Sequence, residues 1–202
     1  MTDVYTHVPT FEGDRYRLRF LKQEDCTALL RVYSDEKAVP FFNSDNCGGD
    51  DFHYTTEARM AQAIAYWLWE YSRRGFVRWT IAERTDDSAV GTIELFKRQA
   101  QDAYNNCGIL RIDLRSDHET RESVREILGL IVPPAYALFE CDRIAVKAHP
   151  AAKERIAALL AFGFSASPEP LIGGNDGTAY SGYYVKNRET GIKKSVLTAF
   201  FK

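Results

Sequence analysis

The amino-acid sequence predicts a mixed α/β (α+β) fold, in which a central mixed and mostly antiparallel sheet of about six to seven strands is flanked by about four helices. Three observations lead to this prediction. Residues 16–20 alternate β-forming residues with arginines and precede a segment of helical spacing. Residues 76–83 and 89–97 are two β-rich runs joined by a short polar link, as in a hairpin. A strand, a helix and a second strand then follow one another between residues 108 and 148.

The first half of the chain contains the opening strand and two helices. After that strand, Leu29, Val32 and Tyr33 recur at helical spacing and predict the first helix. A polar loop, 43–53, follows, and the second helix is expected to begin near Thr56. Its apolar stripe consists of Met60, Ile64, Trp67, Leu68 and Tyr71. This helix is therefore expected to pack on the sheet.

The strand, helix and strand of the second half predict a parallel pair of strands. Residues 108–114 and 143–148 read as strands, and 119–139 as the helix between them. A helical crossover connects parallel neighbours. The helix is expected to be interrupted at Pro133 and Pro134, because each proline removes a backbone donor.

The C-terminal part of the chain predicts one more helix and a last strand. The apolar positions of the helix are Ile156, Leu159 and Leu160. It is expected to end at Gly163, a natural C-terminal stop. A glycine-rich turn at 173–177 then leads to the last strand, 178–186.

The length favours a single domain, 1–202, with a core of about 15–186 and a C-terminal tail, 187–202. Four apolar residues near the end of the tail are Val196, Leu197, Phe200 and Phe201. They are expected to dock either on this domain or on a second copy of the chain, so a homodimer is an open expectation.

Charge and cysteine usage narrow the function classes. Lysine and arginine number 26 against 28 aspartates and glutamates, so no overall field favours nucleic acid or an anionic membrane. The four cysteines stand apart, which predicts reduced thiols with no metal site and no disulfide framework. His118 and His149 match no metal spacing and are expected to face solvent. The N-terminus lacks the apolar core of a signal peptide and no run is long enough to span a bilayer, so the expected location is the cytoplasm.

Several segments, taken in order, resemble a known family. They are Tyr16-Arg-Leu-Arg-Phe20, Val32-Tyr-Ser-Asp-Glu36, Arg78-Trp-Thr-Ile-Ala82, Ala89-Val-Gly-Thr-Ile-Glu-Leu95 and Ala157-Ala-Leu-Leu-Ala-Phe-Gly-Phe164. This series resembles the GNAT acetyltransferases, specifically the branch that modifies ribosomal-protein N-termini. The resemblance implies acetyl-CoA as co-substrate, with its pantetheine arm in a gap between two central strands. Backbone groups at Ile112, Asp113 and Leu114 would hold the arm.

The resemblance also implies roles for side chains on the strands. Glu94 is at a position where several family members keep a glutamate that serves as general base, and a carboxylate on an open sheet face is the structural alternative. Asp113 is expected to share this role or to raise the pKa of Glu94 by repulsion. The family's acid, a tyrosine in the last helix, corresponds here to Leu159. Tyr183 or Tyr184 on the last strand is the candidate substitute.

The loop that binds the co-substrate phosphates departs from the family's Arg/Gln-x-x-Gly-x-Gly/Ala signature. Residues 119–124, Glu-Thr-Arg-Glu-Ser-Val, contain neither glycine. The candidate co-substrate contacts at this helix start are Arg121, Ser123, Val124 and Arg125. Ser116 and Glu119 fit a Ser-x-x-Glu capping box, whose side chains would occupy the same backbone amides. The family's Asn-x-x-Ser start to the last helix is replaced at 152–155 by Ala-Lys-Glu-Arg.

Two functions are consistent with these features. The first is an acetyl-CoA-dependent N-acetyltransferase that transfers an acetyl group to a primary amine, on a protein N-terminus or a small molecule, by direct attack and without a metal. The acceptor is expected to enter beside loop 43–53, where Asp50 and Asp51 either attract a cation or form a solvated loop. The alternative is a catalytically inactive GNAT-like module that binds a ligand or peptide, which the glycine-free loop favours.

Overall fold

The computed structural model describes residues 3–189. The strands are β1 (Phe11–Glu12), β2 (Tyr16–Phe20), β3 (Val77–Glu83), β4 (Ala89–Arg98), β5 (Cys107–Leu114), β6 (Arg143–Lys147), β7 (Ser165–Ala166), β8 (Leu171–Ile172), β9 (Ala179–Tyr180) and β10 (Tyr183–Asn187). The α-helices are α1 (Cys26–Tyr33), α2 (Glu57–Ser72), α3 (Arg121–Leu138) and α4 (Lys153–Ala161). A mixed, mostly antiparallel sheet flanked by about four helices was predicted, and this is confirmed.

The main sheet has the strand order β1-β2-β3-β4-β5-β6-β10-β7, and β8 pairs with β9 separately. Its strands pair in antiparallel fashion except β5 and β6, which are parallel neighbours. Helix α3 connects these two strands in the chain. The predicted hairpin of β3 and β4 and the predicted parallel pair are both present. The sheet has eight strands rather than six or seven, because two-residue strands at its edges, β1 and β7, extend it.

Each face of the sheet is covered by a different pair of helices. One face is apolar, and its residues Ile93, Leu110 and Ile112 form a core with buried side chains of α3 and α4. The other face lies under α1 and α2, whose own apolar residues form a second cluster. Removing these apolar surfaces from water is the main favourable contribution to folding.

A gap opens between β5 and β6. Their pairing ends at Leu110 and Val146, whereas β5 continues to Leu114 in pairing with β4 alone. The last four residues of β5, 111–114, therefore have an edge that no strand of the described residues covers. This edge is the place where an extended ligand could complete the sheet.

Helix α3 is not broken at its prolines, so that prediction is wrong. The helix runs from Arg121 to Leu138 with Pro133 and Pro134 inside it. Pro133 is exposed and Pro134 half-buried, and Gly129, whose carbonyl loses the usual donor at Pro133, is also exposed. Water can satisfy backbone groups on this outer side, while the buried side holds the helix to the core.

The predicted last strand, 178–186, is two strands. Residues 179–180 pair with β8 in the small sheet, and β10 pairs with β6 and β7 in the main one. Gly182, with a φ of 87°, separates them. A positive φ interrupts extended backbone and favours glycine, so the chain changes sheets at this residue.

Within residues 3–189, no helix combines the length and apolarity needed to cross a membrane. The apolar residues of the tail, from Val196 to Phe201, lie outside the described residues. Tail docking and the homodimer therefore stay predictions.

Candidate active site

A row of polar side chains crosses the sheet on the face under α1 and α2. In the register, Arg78 of β3 is opposite Glu94 of β4, which is opposite Arg111 of β5. Thr92 and Asp113 form the next opposed pair. Directly opposed residues in an antiparallel pair point to the same face. Local alternation along three strands therefore builds one polar cluster.

Arg78 lies at the centre of this cluster and is only 1% exposed. Its Nη1 donates to the hydroxyl of Tyr33 at 3.0 Å and to Asp113 Oδ2 at 3.2 Å, and its Nη2 donates to Glu94 Oε2. The guanidinium carbon stands 3.9 Å from the ring centroid of Trp67. Helices α1 and α2 thus cover a buried cation that contacts two carboxyl groups.

Both oxygens of Glu94 are ion-paired. Arg78 occupies Oε2, and Arg111 Nη1 donates to Oε1 at 2.7 Å. Burial alone would raise the pKa of Glu94, but Arg111 and Arg78 outweigh it and lower that pKa. Glu94 is therefore a stable carboxylate held between two cations.

Asp113 has the opposite character. Its Oδ2 accepts from Tyr33 at 2.7 Å and from Arg78 at 3.2 Å, whereas its buried Oδ1 has no hydrogen-bond partner among the described residues. Burial raises the pKa of Asp113, against the lowering effects of Arg78 and Tyr33. Of the four carboxyl oxygens of Glu94 and Asp113, Oδ1 alone remains free for a donor. Burial therefore leaves the raised pKa on Asp113 rather than on Glu94, to which repulsion by Glu94 adds only a minor part.

Asp45, in the loop after α1, bridges the two strands that part. Its carbonyl oxygen accepts from Arg111 Nη2 of β5 at 2.8 Å. Its carboxylate accepts from Lys147 Nζ, at the end of β6, at 2.5 and 2.7 Å. The hydroxyl of Tyr183 donates to the same carboxylate at 3.0 Å. The loop therefore lies over the start of the gap between β5 and β6.

The two tyrosines predicted as acid candidates point to opposite faces of β10. Tyr183 joins the polar side beside Asp45, and burial, with Asp45 as the next cause, raises its pKa far above the ordinary value. Tyr184 packs instead against the apolar core of α3 and α4. Tyr183 is thus near the gap, and Tyr184 is turned away from this cluster.

The acids expected to attract a cationic acceptor are engaged within their own loop. Asp50 pairs with Arg59 at 2.5 Å and accepts from the hydroxyl of Tyr54 at 2.9 Å. Asp51 accepts from the backbone N–H of His53 at 2.9 Å. These contacts fit a structural role in a solvated loop, which was one of the two alternatives for Asp50 and Asp51, rather than attraction of a cationic acceptor.

The capping box predicted at Ser116 and Glu119 is wrong. Ser116 lies in a short 3₁₀ turn, and the residue that caps α3 is Thr120, whose Oγ1 accepts from the N–H of Ser123 at 3.2 Å. The reason is that Glu119 is committed elsewhere. Its carboxylate accepts from Arg155 of α4 at 2.7 and 2.6 Å, and the pair is almost fully buried.

The predicted co-substrate contacts at the start of α3 divide into two groups. Arg121 and Arg125 are exposed, and neither makes an ion pair within residues 3–189. Ser123 and Val124 are buried; the Ser123 hydroxyl lies 2.8 Å from that of Tyr16, and Val124 belongs to the apolar core. Only the two arginines therefore present side chains to a ligand in solution.

His118 does not face solvent, so that prediction is wrong. It is 3% exposed, with its Nδ1 2.9 Å from the Tyr16 hydroxyl and its Nε2 3.0 Å from Arg115 Nη2. Burial lowers its pKa. The 3₁₀ turn before α3 rotates the ring inward, a direction that helical spacing could not indicate. His149 is exposed, as predicted.

Sequence reasoning missed the residues that organise the site. They are Tyr33, Asp45, Arg78, Arg111, Lys147 and Arg155. A signal existed for the strands, because polar residues recur at every second position on three successive strands and predict one polar sheet face. No comparable signal existed for Asp45 and Arg155, whose partners are distant in the chain.

Comparisons with known proteins identify the family and the fold of this chain. A family model described as an Acetyltransferase (GNAT) domain matches residues 15–165, more than half of the chain. No curated protein matches.

Solved structures share the fold. The GNAT-family acetyltransferase from Bacillus anthracis is 12% identical, with a TM-score of 0.64 over 88% of this chain and 98% of that chain. Ribosomal-protein-S5-alanine acetyltransferase from Vibrio fischeri is 15% identical, with a TM-score of 0.62 over 90% and 97%. The acetyltransferase from Agrobacterium tumefaciens is 16% identical, with a TM-score of 0.61 over 93% and 99%. At these identities the likeness concerns the fold alone.

Proposed function

The chain belongs to the GNAT acetyltransferase family, and on that premise we propose that it is an acetyl-CoA-dependent N-acetyltransferase acting on a primary amine. The acceptor is a protein N-terminus or a small molecule. One observation carries the proposal. The free carboxyl oxygen of Asp113 lies on the segment of β5 that parts from β6, so a base candidate and an uncovered strand edge coincide.

The residues around the gap fit the co-substrate. Backbone groups of Ile112, Asp113 and Leu114 would hold the pantetheine arm, as an added strand is held at a sheet edge. Arg121 and Arg125 would meet the phosphates, because both are exposed cations in the first turn and a half of α3. Ser123 and Val124 would not contact the phosphates directly, since their side chains are buried and their backbone N–H groups donate to Thr120.

The reaction needs a base. An amine with a pKa near 10.4 is deprotonated in only about one molecule in 10³ at pH 7. Between the two carboxyl groups predicted for this role, we assign it to Asp113, whose pKa is raised and whose Oδ1 is free. Glu94, with both oxygens ion-paired, would hold Arg78 and Arg111 in position instead.

Tyr183 would orient Asp45 rather than act as a strong acid. Its pKa is raised, so the phenol keeps its proton at neutral pH and donates a hydrogen bond to the Asp45 carboxylate. A thiol leaving group has an ordinary pKa of about 8.5, so it can depart as a thiolate and take its proton from water. No strong acid is required for this step.

Calorimetry with CoA, followed by thiol release with acetyl-CoA and a panel of primary amines, tests the proposal. We expect saturable CoA binding and amine-dependent release of thiol. Thiol release that exceeds the amine-free rate for at least one acceptor supports transfer. An absence of both heat and thermal shift at millimolar CoA concentrations would exclude the proposed enzyme.

The second candidate is a GNAT-like binding module without catalysis. The observation that favours it is the glycine-free start of α3, residues 119–124, where side chains stand at positions that the family leaves bare for the phosphates. Binding of peptides or small ligands without any CoA binding, in the same calorimetric experiment, would select this candidate.

A further inference from the structure

Lys147 presents a primary amine beside the gap. It is the last residue of β6 and directly follows Val146, the last residue that pairs with β5. Its side chain remains 27% exposed, so it is accessible to a ligand. Its Nζ donates to both oxygens of Asp45, whose carbonyl oxygen is bound by Arg111 of β5. The amine is therefore held between the two strands that part.

The surroundings fix this amine in place. Tyr183 donates to Asp45 at 3.0 Å, and Asn43 donates to the Tyr183 hydroxyl at 3.4 Å. A Cβ at Gly182 would lie 3.9 Å from Lys147 Cε, so the side chain lies against a bare glycine. Lys186, on the same sheet, pairs instead with the exposed Glu189 three residues away. In the register Lys186 is opposite Ile144, three residues before Lys147 on β6 and within the part of β6 that still pairs with β5. The two lysines thus differ in their position relative to the gap and in the groups that hold them.

We propose that Lys147 is an acetylation site of this protein, modified with the protein's own co-substrate while Asp45 positions its amine. This proposal rests on the proposed function. The thioester in the gap would approach an amine that already lies at the end of β6, without an external acceptor. Holding two reactants in a fixed geometry can lower the activation free energy, because the translational and rotational entropy of their encounter is already lost.

The chemical step is balanced by this chain, water and the co-substrate. The ammonium of Lys147 loses one proton to water, while the Asp45 carboxylate holds the nitrogen in place, and the nitrogen attacks the acetyl carbonyl carbon. A C–N bond forms, the C–S bond breaks, and CoA leaves as a thiolate that takes up the second proton lost by the nitrogen. The resulting amide is neutral and cannot pair with Asp45. Modification would therefore detach the loop from β6.

Incubation with acetyl-CoA alone, followed by quantitative peptide mass spectrometry, tests the proposal. We expect Lys147 to be acetylated at least about tenfold faster than Lys186, at a rate per molecule independent of protein concentration. Equal rates at the two lysines would overturn the proposal. A rate that rises with protein concentration would also overturn it, since it indicates transfer between molecules.

The variant Asp45→Asn distinguishes two routes to acetylated Lys147. In directed acetylation the co-substrate bound in the gap reacts with the positioned amine, and in chemical acetylation free acetyl-CoA reacts with any accessible amine. Loss of the ion pair frees the amine, so chemical acetylation of Lys147 would rise, whereas directed acetylation falls to the rate of Lys186. A rise in the variant would overturn the proposal. Tyr183→Phe, which keeps the charge of Asp45 and removes one hydrogen bond, serves if Asp45→Asn does not fold; a fall is again expected, and an unchanged rate contradicts it.

CoA calorimetry on the same wild-type sample distinguishes two failures. If CoA does not bind, the proposed function fails together with this inference. If CoA binds and an amine acceptor supports thiol release while Lys147 reacts no faster than Lys186, this inference alone fails.

Discussion

Glu119 and Arg155 form a bidentate ion pair that joins the connection before α3 to the start of α4. Arg155 Nη1 also donates to the carbonyl oxygen of Phe41 at 3.1 Å. Both residues depart from the family pattern, one in the phosphate loop and one at the start of the last helix. The two residues that differ from this pattern pair with each other, so that Arg155 neutralises the carboxylate of Glu119. It therefore does not face a bound phosphate as an uncompensated charge.

Glu119→Gln is expected to lower the free energy of unfolding by about 3–5 kcal/mol, because it leaves the guanidinium of Arg155 buried without its counter-ion. Urea titration measures this change. Glu83→Gln is the matched control, since Glu83 pairs with Arg15 on the surface, where such a pair contributes about 0–1 kcal/mol. Equal losses in both variants would contradict the assigned difference.

The strands and helices could be predicted because their signals are local. Alternation marked β2 and the hairpin of β3 and β4, and a run of strand, helix and strand marked the parallel pair. The pairing of Glu119 with Arg155 could not be predicted in this way, because the two residues meet only when β5 and β6 lie side by side. A Ser-x-x-Glu match at residues 116–119 was local too, and it misled because a distant arginine binds Glu119 more strongly than a backbone amide would.

The roles of the two central carboxyl groups depended on contacts across strands. Glu94 could be recognised as a candidate base from its place in the hairpin, but its two arginine partners come from β3 and β5. Their combined charge lowers the pKa of Glu94 and leaves Asp113 with the raised one. Sequence spacing cannot indicate which of two carboxyl groups has a free oxygen.

Asp113→Asn is expected to reduce kcat by about 10²–10⁴-fold, because the amide cannot take a proton from the amine. A base loses activity as the pH falls through its pKa. Since burial raises the pKa of Asp113, the acid limb of the wild-type pH–rate profile should lie above the ordinary aspartate value of about 3.9. Steady-state kinetics across pH, with the best acceptor, measure both effects.

Glu94→Gln is the comparison for that variant. It should lower stability by leaving Arg78 and Arg111 with one counter-ion fewer, while the acid limb set by Asp113 remains. A lost acid limb in Glu94→Gln, with Asp113→Asn fully active, would instead return the base role to Glu94. Calorimetric CoA binding by both variants separates these catalytic effects from loss of the co-substrate site.

His118 should make the protein less stable in mild acid. Its folded-state pKa is lowered from 6.5 by burial, so the unfolded state binds the proton more tightly. The stability contributed by the neutral ring is complete above that value and is lost as the pH falls below it. His118→Gln should therefore lose less unfolding free energy than the wild type between about pH 7.5 and about pH 5.5.

Urea titrations at the two pH values measure this difference. His7→Gln is the control, because His7 is exposed and the substitution leaves His118 unchanged. Its stability should fall with pH in parallel with the wild type. Parallel behaviour of His118→Gln as well would exclude His118 as the cause of the pH dependence.

Gly91→Ala should disturb the strand that carries Asp113. A Cβ at Gly91 would lie 2.3 Å from the carbonyl oxygen of Asp113 and 2.9 Å from a methyl carbon of Leu114, so the backbones of β4 and β5 would have to separate. Overpacking of this kind costs about 1–3 kcal/mol. Gly174→Ala is the control, since its Cβ would meet nothing within 4 Å. The displaced backbone is also the proposed contact of the pantetheine arm. CoA affinity measured by calorimetry should therefore fall in Gly91→Ala and stay unchanged in Gly174→Ala. Unchanged affinity in both variants would place the arm away from this segment of β5.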